Sequence, residues 1–305
     1  MPPARPVPKG RTLILDRRCT RRFFLLRPDP DRCSQRLFLY CLGVFAAEHG
    51  VEIHGLIQMS SHYHLCLTDV RGVLPRFLAD MHRTLAACLK EHRSWPEEVW
   101  NKSQTSVIDL ETPAAVIEGL SYLITNGVEA GMVERPEAFP GAITLPEEIG
   151  RWTLSTRRPS LAYLKNGRRW PPVATLRIEM PGMLESEYGG SAARRVLRNA
   201  VDRRTEKLRV KRAESGLGFI GADAVCRASV TTVSKKPEKR GRKPTFAIGS
   251  GNGRAYRRKV EQVRAWRLSY ARCLARWKRG ERSLVWPPDT WKMRVVHGAP
   301  CSLAA

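Results

Sequence analysis

The hydrophobic and polar positions of this chain change period several times. "RTLILD" (11–16) alternates as a strand does, and "SQRLFLYCLGVFAAEHG" (34–50) switches to helical spacing. Leu37, Tyr40, Cys41, Val44 and Phe45 share one face of that helix, with Ser34 as N-cap and Gly50 as stop. "VEIHGLIQM" (51–59) and "HYHLCLTD" (62–69) read as two strands of a hairpin. "GVLPRFLADMHRTLAACLKEH" (72–92) is an amphipathic helix with Leu74, Phe77, Leu78, Met81, Leu85 and Leu89 on its stripe. "QTSVIDLE" (104–111) is a strand. The helix over 112–131 opens on Thr112 as N-cap and Pro113 at its first position, with Gly127 near its end.

The order β-α-β-β-α-β, then a further helix, predicts an α+β fold of the ferredoxin-like, split βαβ kind. One antiparallel sheet would carry helices on one face, leaving the other for a substrate or an extra helix. Beyond residue 150 the pattern loosens. A strongly basic helix covers 191–215, a Lys-, Arg-, Gly- and Pro-rich linker covers 233–253, and another helix covers 254–280. Val263, Trp266, Tyr270, Cys273, Leu274 and Trp277 form a stripe on that last helix, and 283–294 follow as an extended tail. The expected units are a folded domain over 1–150, a basic, mostly helical extension over 151–232, the linker over 233–253, and a basic helix with its tail over 254–305.

Charge sharpens this division. The 305 residues carry a net charge of +24. Residues 1–150 hold 17 Lys+Arg against 18 Asp+Glu, whereas residues 151–305 hold 36 against 11, so the whole excess lies in the second half. Such asymmetry points to a polyanionic partner, nucleic acid above all. At 42% hydrophobic residues a core can form, and no stretch is long and apolar enough to span a bilayer. The opening "MPPARPVPKGRT" has no apolar segment behind its charges and does not read as a signal peptide. Eight cysteines without a CxxC pair, among them Cys41, Cys66 and Cys88 in apolar surroundings, fit a reducing cytoplasm.

Two pairs of residues carry candidate chemistry. Side chains alternate across a strand, so His62 and His64 project from one face, about 7 Å apart at the backbone, and can converge on one divalent ion. Tyr63 points the other way. Tyr122 and Asn126 stand four apart on the last helix of the first half and share its face. A phenolic oxygen can attack phosphorus, and a carboxamide oxygen can complete a metal site begun by two histidines. His54, His82 and His92 read as structural and Cys66 as core.

These residues in their context, "QMSSHYHLCL", then "GVLPRFLADMHRTLAACL", then "VWNKSQTSVIDLETPAAVIEGLSYLITNGVEAGMV", resemble the single-tyrosine transposase domain of HUH nucleases. The likeness is strongest to REP-associated tyrosine transposases and related small insertion-sequence enzymes, and it covers roughly residues 10–140. It implies His62 and His64 as the HUH pair, Asn126 as third metal ligand, Tyr122 as nucleophile, and Mg²⁺ or Mn²⁺ as cofactor. The implied substrate is single-stranded DNA, often beside a hairpin, cleaved and rejoined through a 5′-phosphotyrosine. Family members occur as monomers and as homodimers, and the implied location is the bacterial cytoplasm, at the nucleoid. The chain departs from the family pattern at Ser61, Gly127 and Glu129, none of which is a proposed ligand or the nucleophile.

In the basic half, the arginines of 194–212 and 254–282 would bind the DNA backbone without reading sequence. "KRGRKP" resembles an AT-hook, with Arg240 and Arg242 placed to enter a narrow minor groove and Lys243 beside them. Lys102 could contact a phosphate ahead of the strand at 104. Trp266, Trp277, Trp286 and Trp291 could stack on bases, although their spacing favours packing. The rival reading is a non-catalytic DNA-binding protein derived from such a transposase. RNA binding on the sheet is disfavoured, because no strand shows an aromatic platform.

Overall fold

A computed structural model describes residues 4–103, 105–165, 169–234 and 244–303. The first half runs β1 (Arg11–Arg18), α1 (Cys33–His49), β2 (Val51–Gln58), β3 (His62–Asp69), α2 (Leu74–Arg93), β4 (Ser106–Leu110), α3 (Pro113–Ile124) and α4 (Asn126–Glu129). The second half adds β5 (Thr153–Arg157), α5 (Ala162–Lys165), β6 (Val173–Arg177), α6 (Gly182–Tyr188), α7 (Gly190–Glu214), α8 (Ala222–Arg227), β7 (Phe246–Ala247), α9 (Gly253–Lys278) and α10 (Trp291–His297).

The main sheet is mixed, with five strands in the order β2-β3-β1-β4-β7. β3 is therefore inserted between the sequence neighbours β1 and β2. β1 pairs antiparallel with β3 and β4, and β2 pairs antiparallel with β3. The antiparallel expectation needs one correction. β7, inside the segment read as a linker, pairs parallel with β4, placing Phe246 opposite Asp109. A strand of two residues carries no period and is invisible to pattern reading.

Period-two alternation assigns the two faces of the sheet. Tyr63 is fully buried against Phe38 of α1, at 5.2 Å between ring centroids, so α1 and α2 cover its face. The six stripe residues of α2 are all buried, as expected, and Asp69 closes the helix start by accepting from the backbone N–H groups of Val73 (2.9 Å) and Leu74 (2.8 Å). α1 is apolar nearly all round and is buried nearly all round, because the β5–β6 ribbon packs on its outer side. The opposite sheet face is partly closed by α3. Gly55 of β2 lets that helix approach, since a Cβ there would lie 2.9 Å from Leu120.

The core runs without a break past residue 150. It includes Ile149, Leu164, Leu176, Ile178, Leu184, Leu197 and Val201 beside the residues of the first half. α7 contributes a stripe of Ala193, Leu197, Val201 and Thr205 packed on α3. A second small core forms at the C-terminal end from Leu284, Trp286, Met293 and Ala299, against Tyr270, Leu274 and Trp277 of α9. The tail read as extended thus contains α10 and a buried Trp286. Among the described residues no helix is long and apolar enough to cross a membrane.

Candidate functional site

β3 is flanked by strands on both sides, so His62 and His64 stand on the inner part of the sheet rather than at an edge. Their ring centroids are 4.9 Å apart. Register places Asp16 of β1 opposite His64 and Arg18 opposite His62, on the same face. Asp16 and Arg18 approach each other at 3.5 Å. The sequence reading missed both, although alternate positions on the first strand could have found them.

α3 brings the tyrosine over this face. Its start is fixed by Thr112, whose hydroxyl oxygen accepts from the Ala115 N–H at 3.2 Å, with Pro113 at the first position. The helix expected to run unbroken over 112–131 breaks at Thr125. That hydroxyl donates to the Ser121 carbonyl at 2.7 Å, a back-bond that bends helices, and α4 begins at the next residue. Asn126, four residues on, stays beside Tyr122 across the break, because the i to i+4 backbone bonds resume at Glu129 and Ala130. Gly127 lies under Phe139, where a Cβ would meet the ring at 2.9 Å.

Tyr122, His62, His64 and Asn126 come together. The Tyr122 ring meets His64 edge to face at 5.5 Å. The Asn126 amide lies beside both the His62 ring and the Tyr122 hydroxyl, close enough to favour the charged form of each. Ser61 Oγ, at 3.2 Å, is a further partner of His62 Nδ1. His64 and Asn126 are buried, His62 is half-buried and the tyrosine is 37% exposed, so the pocket opens to solvent at the phenol.

Burial pushes both imidazoles down to about 3; for His62 the neighbouring His64 adds to this, and for His64 Arg18 does. Both rings are therefore neutral at pH 7 and keep a lone pair for a metal. Burial, then the Glu129 carboxylate, pushes the Tyr122 hydroxyl above its ordinary value. His64 Nε2 is buried and has no hydrogen-bond partner among the described residues. An orphaned imidazole nitrogen beside a second imidazole and a carboxamide is what a divalent cation needs, so these residues fit the implied ion.

One contact arrives from the basic half. Arg204 of α7 lies over the Tyr122 ring at 5.4 Å, donates from Nε to Thr125 Oγ1 at 2.9 Å, and pairs with Glu129 at 2.8 Å. Nothing in the sequence links position 204 to position 122.

The other candidates stand elsewhere. His54 is fully buried at a register shift in β2, with Glu179 O at 2.9 Å and Thr68 Oγ1 at 2.8 Å as ring partners. His82 pairs with the Tyr63 hydroxyl and His92 with Asp29, on the α2 side of the sheet. Cys66 is fully buried, which pushes its thiol up to about 12. Lys102 is exposed in the loop before β4. Arg240, Arg242 and Lys243 lie outside the described residues. Trp286 is in the C-terminal core, and Trp266 donates to the Pro288 carbonyl at 2.8 Å. The ligand atoms of Glu48, His49 and Asp80, a group that sequence reasoning missed, lie within 4.8 Å of one another and could hold an ion. Arginines already pair with both acids, Arg169 with Glu48 and Arg83 with Asp80.

Comparison with known proteins finds no matching family model and no matching curated protein. Among solved structures, a REP-associated tyrosine transposase bound to a REP hairpin is similar over 48% of this chain and 84% of its own, at 15% identity and a TM-score of 0.41. A candidate transposase from Deinococcus radiodurans R1 is similar over 35% of this chain and 85% of its own, at 20% identity and a TM-score of 0.27. At these values the likeness assigns no activity to this chain.

Proposed function

We propose that the chain is a transposase-like enzyme that cleaves and rejoins single-stranded DNA through Tyr122, on a ferredoxin-like sheet. One observation carries the reading. Asn126 lies beside both Tyr122 and His62, while His64, its ring perpendicular to that of the same tyrosine, keeps its Nε2 without a partner among the described residues. A nucleophile and three neutral ligand groups thus share one pocket. The strand order β2-β3-β1-β4 supports the fold reading.

Tyr122 Oη attacks the phosphorus of a bound strand and the P–O3′ bond breaks. The phenolic proton is released, and the departing O3′ takes up a proton. The products are a 5′-phosphotyrosyl link and a free 3′-OH. That link keeps the energy of the phosphodiester, so an incoming 3′-OH reverses the step and joins new ends. Asn126 orients the phenol, and the edge-on His64 ring limits its swing. A divalent ion held by His62, His64 and Asn126, Mg²⁺ or Mn²⁺, would supply Lewis-acid polarisation of the phosphate oxygens.

The test is covalent trapping. The full chain is incubated with labelled single-stranded hairpin oligonucleotides from the DNA flanking its gene, with and without Mn²⁺, and run on denaturing gels. The expected result is a metal-dependent adduct, lost in Tyr122→Phe and in His62→Ala/His64→Ala. Tight binding without an adduct, across metals and flanking sequences, would establish the rival, a non-catalytic DNA-binding protein.

A further inference from the structure

We propose that Arg204 is a positioning residue for Tyr122, so that the basic helix α7 completes the catalytic site rather than only decorating it. The inference rests on Tyr122 being the nucleophile.

Three contacts converge on this side chain. Its guanidinium covers the Tyr122 ring at 5.4 Å. Its Nε donates to Thr125 Oγ1 at 2.9 Å, and that hydroxyl in turn donates to the Ser121 carbonyl at 2.7 Å. Arg204 therefore holds the break between α3 and α4, which lies between the nucleophile and Asn126. Its Nη2 pairs with Glu129 at 2.8 Å. Glu129 sets a negative charge near the phenol, where it opposes an incoming phosphate, and Arg204 offsets that charge. Nη1 makes no hydrogen bond among the described residues, so the fork keeps a donor for the DNA.

The helix is held firmly enough for this role. Ala193, Leu197 and Val201 are buried against the first half, and Arg198 pairs with Glu137 and Glu147. Arg204 is one position from the buried Thr205, and 35% of its side chain is exposed. A guanidinium with two protein anchors and a ring beneath it is not a free surface charge.

The experiment compares single-turnover adduct formation by the full-length wild type, Arg204→Ala, Arg204→Lys and Arg198→Ala over a range of oligonucleotide concentrations. Melting temperatures are measured in parallel. Arg204→Ala is expected to lower the maximal rate by roughly 30-fold or more while changing the half-saturating concentration less than about threefold. Arg204→Lys, which keeps the charge but not the fork, falls between, and added methylguanidinium restores part of the Arg204→Ala rate. Arg198→Ala, which loosens the same helix away from the tyrosine, keeps the wild-type rate. An unchanged maximal rate in Arg204→Ala overturns the inference. So does a loss confined to half-saturation, or an equal loss in Arg198→Ala. If the wild type forms no adduct, Tyr122 is not the nucleophile and the parent reading falls as well. An adduct formed equally fast by wild type and Arg204→Ala sinks only the positioning role.

Discussion

His54 and His64 are both buried, and they differ in what their ring nitrogens meet. Both nitrogens of His54 are bonded, to Glu179 O and Thr68 Oγ1, whereas Nε2 of His64 has no partner among the described residues. The first arrangement is a structural histidine, and the second leaves a lone pair with work to do. The structural one makes a prediction about pH. Burial pushes His54 down to about 4, below its ordinary value near 6.5, so the unfolded chain binds this proton and the folded chain does not. Its contribution is fully present above about pH 6.5 and is lost as pH falls towards 4, at about 1.4 kcal/mol per pH unit. Replacing it with glutamine, which can still donate and accept, removes one proton from that slope. Urea unfolding at pH 7 and pH 5 is the check. The loss of stability between the two should be smaller in His54→Gln than in wild type by about 2 kcal/mol. An equal loss would mean that His54 titrates normally in the folded chain.

At the scale of elements, the site depends on where α3 begins and where it breaks. Thr112 does two things at the start: its oxygen accepts from the Ala115 N–H, and its hydroxyl donates to the Ile248 carbonyl at 2.7 Å, just beyond β7. Thr112→Ala removes the cap and the tie together, and should cost about 1–2 kcal/mol in denaturant unfolding. A change below about 0.3 kcal/mol would show that packing alone holds the helix. Much of this architecture was legible in the sequence. β1–β4 and the two helices between them follow from the pattern of apolar positions: α2 buries one stripe at a period of 3.6, whereas α1, β2 and β3, covered nearly all round, read as apolar runs bounded by turn residues. The pairing of His62 with His64 follows from strand alternation. The break at Thr125 was not legible, since threonine is no helix breaker and the apolar pattern runs through it. Nor was β7, with only two residues. The contact of Arg204 with Tyr122 is purely tertiary. It depends on which face of α7 meets α3, and a basic helix read alone gives arginines on every face.

At the scale of the whole molecule, that helix divides the charge excess into two populations with different work. Arg194, Arg198, Arg204 and Arg212 turn inward, to the Ile149 carbonyl, to Glu137 and Glu147, to Thr125 and Glu129, and to the Gly218 carbonyl. Arg195, Arg203, Lys207 and Lys211 are exposed at spacings of four and eight, in a row along the solvent side. The expectation that the arginines of 194–212 all bind the DNA backbone therefore separates by face. The outer row is placed to neutralise phosphates along a strand, and neutralised phosphates release counterions, which makes binding depend on salt. Each phosphate contact on a single strand adds about 0.7 to the slope of log affinity against log salt, so Arg203→Ala/Lys207→Ala/Lys211→Ala should reduce that slope by about 2. These side chains are exposed, so the melting temperature should hold. Arg198→Ala should do the opposite: a lower melting temperature, because Glu137 and Glu147 lose their common partner, and an unchanged slope. Fluorescence anisotropy with a single-stranded oligonucleotide at several salt concentrations separates the two. If the triple variant keeps the wild-type slope, the outer row of α7 is merely solvated. The DNA path would then run along α9, where Arg254, Arg257, Arg258, Arg264 and Arg272 are exposed. If the slope falls as expected, α7 serves both ends of the reaction, holding the strand on one face and the tyrosine on the other.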